Sequence, residues 1–393
     1  MKGLGLGGRS DLSEIAPELC SLLLAWWEVH GRKDPVLKPW MFTPEGKWPE
    51  PFEHLNPYPI HVAEVMLQQT QLKVVLPYWQ SWLESFPTLE ALAEEEQQSV
   101  LLRWQGLGYY SRARRLHHSA QNLLKRMGPD VAVDPQSWSR DLAFWLELPG
   151  IGLSTAGGIL SSAFNRPLAI LDGNVRRVLA RLQAHLRPPM RDQPLFWFWS
   201  KAFIGAAPTR ARDLNQALMD LGATVCTPRS PNCACCPWQM HCAAYAAGDV
   251  ERYPVKDTPR AVPFQVIGVG VVLNEAGEVL IDQRLNEGLL GGLWEFPGGK
   301  QEPGEDIVQT ILRELQEELA IEVSVGDELI SIDHAYSHKK LRFVVHLCQW
   351  RQGEPQPLAS QQVCWVKPEE LGNFPFPAAN ARIIQALLDW QQR

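Results

Sequence analysis

Four cysteines crowd one short segment, spaced Cys226-x6-Cys233-x2-Cys236-x5-Cys242. Thiolates at this spacing suit a [4Fe-4S] cluster or a tetrahedral zinc, and spacing alone does not choose between them. In a reducing compartment such a group favours metal over disulfides. Cys235 is an extra thiol inside the loop and is not expected to be a ligand. A second group is acidic. Glu314, Glu317 and Glu318 lie three and four apart and share one face of a helix. Clustered carboxylates repel unless a hard cation such as Mg²⁺ joins them, and the plain alternative is a solvated acidic face. The third group is a glycine-pivoted turn, Leu148-Pro149-Gly150-Ile151-Gly152-Leu153-Ser154. Gly150 and Gly152 are expected to take backbone angles that other residues resist and to let the turn approach a partner closely. The first amides of the helix that follows then face outward as donors for a phosphate. Asp172 comes next, after Leu171, and would at the least cap the helix behind it.

These groups need elements to hold them. The 393 residues suffice for two or three domains with real cores. Leu19, Leu22, Leu23, Trp26 and Trp27 fall on one face of a helix over 12–30. The Pro- and Trp-rich stretch 34–59 is expected to be an irregular loop packed on the surface. Helical patterns dominate to about 247, and a proline-rich linker over 248–263 follows. The pattern then changes to strands over 265–273 and 279–282 around an Asn274-Glu275-Ala276-Gly277 turn, a helix over 306–320, a strand over 343–350 and a closing helix over 378–391. Within the first part, His61–Gln71 reads as a helix with Val62, Val65, Met66 and Gln69 near one side; taken alone, Glu64 there is a solvated carboxylate. No signal peptide and no apolar run of membrane-spanning length is seen, so a cytoplasmic protein with no membrane partner is expected. Residues 1–255 hold 25 Lys and Arg against 24 Asp and Glu, net +1, and residues 256–393 hold 12 against 20, net −8. A near-neutral first part can still bind DNA through grouped cations, and Arg112, Arg114, Arg115 and Arg176, Arg177, Arg181 are grouped.

The Gly150–Ser154 turn with Asp172 behind it resembles the helix-hairpin-helix glycosylases, the base-excision repair superfamily that includes endonuclease III and MutY. The run Glu64-Val65-Met66-Leu67-Gln68-Gln69-Thr70-Gln71 is nearly identical to the MutY pattern, and Gly106-Leu107-Gly108-Tyr109-Tyr110 resembles another MutY loop. The resemblance implies an all-α helix-hairpin-helix domain over 1–247 that flips adenine out of duplex DNA and excises it opposite 8-oxoguanine or G, acting as a monomer. Glu64 would be the general acid that protonates adenine at N7. Gln69 would wedge into the base stack, Tyr109 would probe beside the oxidised base, and Asn174 would be a polar helper. Breaking an N-glycosidic bond builds positive charge on the sugar, so one carboxyl must hold a proton while the other stays ionised. Burial would raise the pKa of Glu64, and helix-start amides would keep Asp172 anionic. Bifunctional relatives carry Lys where this chain has Ser154; a serine has no amine for an imine, so a monofunctional enzyme that leaves an abasic site is expected. Some MutY relatives carry Tyr at this position to help hold adenine, and Ser154 would do less of that. The cysteine loop matches the endonuclease III/MutY loop, which implies a [4Fe-4S] cluster on Cys226, Cys233, Cys236 and Cys242.

Residues 264–393 resemble a Nudix domain of the MutT type, an α-β-α sandwich. Gly299-x5-Glu305-x7-Arg313-Glu314-Leu315-Gln316-Glu317-Glu318-Leu319 is an almost whole Nudix box, with Ala320 in place of the usual glycine. In MutY proteins this domain reads 8-oxoguanine, and Ser337 and His338 match the contacting loop. Asn380, in Phe376-Pro377-Ala378-Ala379-Asn380, matches the MutT residue that reads an oxidised purine. The intact box implies a second possibility, a Mg²⁺-dependent hydrolysis of 8-oxo-dGTP through Glu314, Glu317 and Glu318. The 357–363 segment lacks the further acid such enzymes use.

Overall fold

Apolar spacing of three and four sets the first element. Leu12, Ala16, Leu19, Cys20, Leu23 and Trp27 form the buried stripe of the Leu12–His30 helix. The stripe is rotated from the expected one: Leu22 is 37% exposed and Trp26 only partly buried. This helix shares a core with Phe196 and Phe203 of the Gln193–Ala206 helix and with Leu214, Ala217 and Leu218 of the Ala211–Asp220 helix. The computed structural model describes residues 12–128, 137–258, 262–288, 290–335 and 339–392. The chain forms two units, Met1–Ala93 with His118–Thr258, and Glu94–His117 with Pro259–Arg393.

The first unit is helical. Asn56 caps the Pro57–Met66 helix by accepting from the Tyr58 amide at 3.0 Å, with Pro57 at the position where a missing N–H costs nothing. The helix stops at Met66, short of the expected end, and Gln69 sits beyond it in a left-handed turn at φ 60°. The 34–59 stretch is not a surface loop. A short turn at Pro39–Met41 buries Trp40 and Met41, Leu55 is buried, and the Trp48 indole donates to Asp213 at 2.9 Å. Large aromatic surfaces are costly to leave in water, and they draw the loop inward. The expected glycine-pivoted turn leads into the Leu153–Phe164 helix. Gly150 has φ 81°, whereas Gly152 has φ −97°, an ordinary extended value. Only Gly150 needs glycine for its angle. The chain past the last helix of this unit is not a free linker at first: Tyr253 is buried against Ala184 and Ala244.

The second unit contains a seven-stranded mixed sheet. Its strands are β1 Phe264–Leu273, β2 Val279–Gln283, β3 Trp294–Glu295, β4 Gly298–Lys300, β5 Glu322–Ala335, β6 Lys340–Gln352 and β7 Gln362–Val366. The path is β3-β2-β1-β6-β5, with β4 on β1 and β7 on β2; β1 and β6 run parallel. Side chains alternate between two cores. Val271 and Ile281 face Ile383 and Leu387 of the Ala378–Gln391 helix. Val272 and Leu280 face Ile311, Leu315 and Leu319 of the Ile307–Leu319 helix. Asp306 starts that helix with a capping box on Gln309. Ala320 ends it at φ 55°, which explains why glycine is usual there; an L side chain in this region costs roughly 1–2 kcal/mol. The Glu94–His117 segment belongs to this unit and contributes the Gln97–Arg103 helix and the Gly106–Tyr110 loop. Among the described residues no helix is long and apolar enough to cross a membrane.

Candidate active site

Glu64 and Asp172 line the same cavity, of about 850 Å³, in the helical unit. Asn174, Gln69, Lys38, Trp40 and Arg176 line it as well. Glu64 comes from the last turn of the Pro57–Met66 helix, and its carboxylate lies over Gly158 of the Leu153–Phe164 helix. A Cβ at Gly158 would stand 2.7 Å from Oε2, so the carboxylate occupies room only glycine leaves. Burial pushes the Glu64 carboxyl up to about 8; Asp172 adds to the shift and Lys38 opposes it. Glu64 therefore keeps its proton at neutral pH.

Asp172 caps the Gly173–Leu182 helix, accepting from the Val175 amide at 2.7 Å. Burial raises its carboxyl above the ordinary value, against the Val175 and Asn174 amides and the charges of Arg177 and Arg176. The net direction is up, because burial outweighs the helix-start amides. Ser154 is tied to this turn: its hydroxyl accepts from the Leu171 amide at 3.0 Å, one residue before Asp172. The Asn174 side-chain oxygen Oδ1 accepts from Arg177 at 2.9 Å. Tyr109 lies in the second unit, 49% exposed at φ 49°.

A charged hub lies beside the acid pair. The carboxylate of Asp220 is fully buried. The Trp27 indole (3.0 Å) and the Arg32 amide (2.9 Å) donate to Oδ2, and Arg32 Nε (2.7 Å) and Lys38 Nζ (2.8 Å) donate to Oδ1. Lys38 also donates to Gln216 at 2.8 Å. Burial alone would raise the Asp220 carboxyl, but Lys38 and Arg32 hold it below the ordinary range. Sequence reasoning missed this hub. Its one signal was a lysine among the prolines and tryptophans of 34–59, and its partners lie far along the chain.

Several of the grouped arginines are structural. Arg181 is 1% exposed and donates to the carbonyls of Thr227, Pro228 and Tyr253 and to Cys226 Sγ at 3.3 Å. Arg112 is buried and donates to the Leu107 and Gly108 carbonyls, and Arg114 donates to those of Gly288 and Gly291. These guanidiniums satisfy loop carbonyls rather than phosphates. Arg176 lines the acid cavity and Arg115 is exposed.

Cys226, Cys233, Cys236 and Cys242 line one cleft with Arg181 and Val225, and none forms a disulfide. Cys235 is exposed and lies outside that cleft. Among the described residues no group of three or more His, Cys, Asp or Glu is arranged to hold a metal ion.

Residues 62–193 match the model of the HhH-GPD superfamily of base excision DNA repair proteins, and residues 268–386 match that of the NUDIX domain. The chain is 32% identical over 373 residues to the adenine DNA glycosylase of Rattus norvegicus, covering 84% of this chain and 71% of the relative. It is 31% identical over 430 residues to that of Mus musculus, covering 98% and 80%, and 32% identical over 421 residues to that of Homo sapiens, covering 95% and 74%. The chain belongs to the adenine DNA glycosylase family.

In the NUDIX domain of this glycosylase, the acidic helix face carries its own counter-ion. Arg313 Nε donates to Glu305 at 2.6 Å, and Nη1 to Glu314 at 2.9 Å and Glu317 at 3.1 Å. The Arg313 guanidinium thus balances part of the charge on this face. Glu318 lies apart from it. Burial, Glu314 and Glu295 raise its carboxyl to about 7. Burial, Glu295 and Glu318 raise that of Asp282 to about 8, and one Asp282 oxygen is buried without a hydrogen-bond partner. Asn380 is buried in the first turn of the Ala378–Gln391 helix. Ser337 and His338 lie outside the described residues.

The Asp220 hub sets a stability expectation. Asp220→Ala leaves Lys38 and Arg32 without their carboxylate, and unfolding in urea should show a loss of about 3–5 kcal/mol. A loss under about 1 kcal/mol would mean that these cations find other partners.

Proposed function

We propose that this chain is a monofunctional adenine DNA glycosylase that flips adenine, opposite 8-oxoguanine or G, out of duplex DNA and hydrolyses its N-glycosidic bond. The observation that carries this reading is a proton-holding Glu64 and an Asp172 carboxyl lining one cavity. The volume of about 850 Å³ suits an extruded nucleoside. Glu64 gives its proton to N7 of the leaving adenine, which turns a poor leaving group into a neutral one. Positive charge grows on the sugar, Asp172 in its anionic form steadies it, and water attacks. The free amides after Gly152, which no side chain caps, seat a DNA phosphate. Gln69 and Tyr109 support the distorted duplex by filling and stacking. Ser154 offers no amine, so no imine forms and the strand is not cut. The enzyme acts on the DNA inside the cell.

The cysteine cleft fits a [4Fe-4S] cluster. Cys226, Cys233, Cys236 and Cys242, all free thiols on one cleft, would supply the four thiolates such a cluster takes. Bound there, it would cross-link the 226–242 loop that Arg181 already braces.

The test is single-turnover adenine release from duplexes carrying A opposite 8-oxoguanine. Glu64→Gln should keep duplex binding and lose at least about a thousandfold in rate, since the proton donor is gone. The wild-type product should be an abasic site cut only after alkali. An active Glu64→Gln enzyme, or nicking by the wild type without alkali, would remove the mechanism.

A second reading rests on the Asp282, Glu295 and Glu318 carboxyls, whose crowding raises their proton affinity and which a cation would join in place of those protons. The full chain, given Mg²⁺ and 8-oxo-dGTP, should then release pyrophosphate, and Glu318→Gln should stop it. No release from the wild type means that the box serves recognition only.

A further inference from the structure

The Tyr110 hydroxyl is a cross-link between two distant parts of the second unit. Tyr110 is 2% exposed, and its hydroxyl accepts from the Gly106 amide at 3.2 Å and donates to the Phe376 carbonyl at 3.0 Å. Gly106 opens the Gly106–Tyr110 loop, which carries the exposed Tyr109. Phe376 is fully buried and stacks on Phe296 at 5.7 Å, and the neighbouring Pro375 carbonyl accepts from the Trp294 amide at 2.9 Å. Phe376 therefore belongs to a rigid part of the sheet unit, two residues before the helix that bears Asn380 begins.

The rest of the Glu94–His117 segment is anchored to the same unit. Gln98 donates to the Gly292 carbonyl at 2.9 Å and accepts from the Trp294 indole at 3.1 Å. Gln97 donates to Asn286 at 3.0 Å, and Arg114 to the Gly288 carbonyl at 2.9 Å. Inside the loop, Arg112 holds the Leu107 and Gly108 carbonyls and lies over the Tyr109 ring at 5.4 Å. Tyr109 thus rides on the sheet unit, as does the Gln97–Arg103 helix before it.

We propose that Tyr110 is a positioning residue for opposite-base discrimination: its hydroxyl fixes the loop that carries the exposed Tyr109 to the buried Phe376 backbone, so that Tyr109 meets the base opposite adenine on a rigid support. This rests on the proposed function. Tyr110 touches no DNA in this scheme. An oxidised purine and a guanine differ by a few polar atoms, and a surface that gives under them cannot separate the two.

The experiment measures duplex dissociation constants by fluorescence anisotropy, for A opposite 8-oxoguanine and A opposite G, with wild type and Tyr110→Phe. Phenylalanine keeps the ring and removes only the cross-linking oxygen. The ratio of the two constants should fall about fivefold, the effect of one hydrogen bond, with affinity for the G duplex unchanged. Amide exchange at Gly106 should quicken in the variant. An unchanged ratio, an equal loss on both duplexes, or unaltered exchange at Gly106 overturns the proposal. Adenine release by the wild type, followed in the same samples, reports separately on the proposed function, because the binding ratio needs no chemistry.

Discussion

A carboxylic acid kept short of water is the constraint on which the site depends. Glu64 stands in the last turn of its helix, half-buried in the cavity wall, with Asp172 nearby and Lys38 to favour its charge. Moving a carboxyl from its ordinary value of 4.5 to about 8 disfavours the ionised form by about 5 kcal/mol. No single contact does this. Gly158 gives the carboxylate its place, the Asn56 cap fixes where the helix begins, and the Ser154–Leu171 hydrogen bond fixes where Asp172 begins.

The same cavity holds positive charge in check. Lys38 is itself pushed down to about 8 by burial, against the pull of Asp220. Asp220 in turn is held ionised by Lys38 and Arg32. A buried ammonium that spends its hydrogen bonds on Asp220 and Gln216 opposes the Glu64 shift only weakly. Were Lys38 freed from Asp220, its charge would be available to Glu64 and would favour the carboxylate form. The hub therefore protects the acid pair from a cation that the cavity cannot avoid.

Much of this was legible before any coordinates. Taken alone, Glu64 reads as a solvated helix carboxylate and Asp172 as a helix cap; the resemblance of the Glu64–Gln71 run and of the Gly150–Ser154 turn to the glycosylases singles out both. The cysteine spacing and the Nudix box are local in the same way. The Asp220 hub was not legible, because Trp27, Arg32, Lys38 and Asp220 meet only in the fold. Grouped arginines misled for a related reason. Charge on a sequence does not say whether a guanidinium faces solvent, and Arg112 and Arg181 turned inward to satisfy carbonyls of irregular loops. The 34–59 stretch looked like surface because prolines break pattern, yet its tryptophans needed burial. The strands β3, β4 and β7 escaped notice because they are short, and β5 because its polar pattern is interrupted by bulges against β6.

Direct titration of the Glu64 carboxyl tests the account most closely. Infrared difference spectra between the wild type and Glu64→Gln, recorded from pH 5 to 10, isolate the protonated carboxyl band of this one side chain. That band should persist at pH 7 and fade with a midpoint near 8. A midpoint in the ordinary carboxylate range, near about 4.3, would mean that water or an unseen cation reaches Glu64 and that the cavity does not keep its proton.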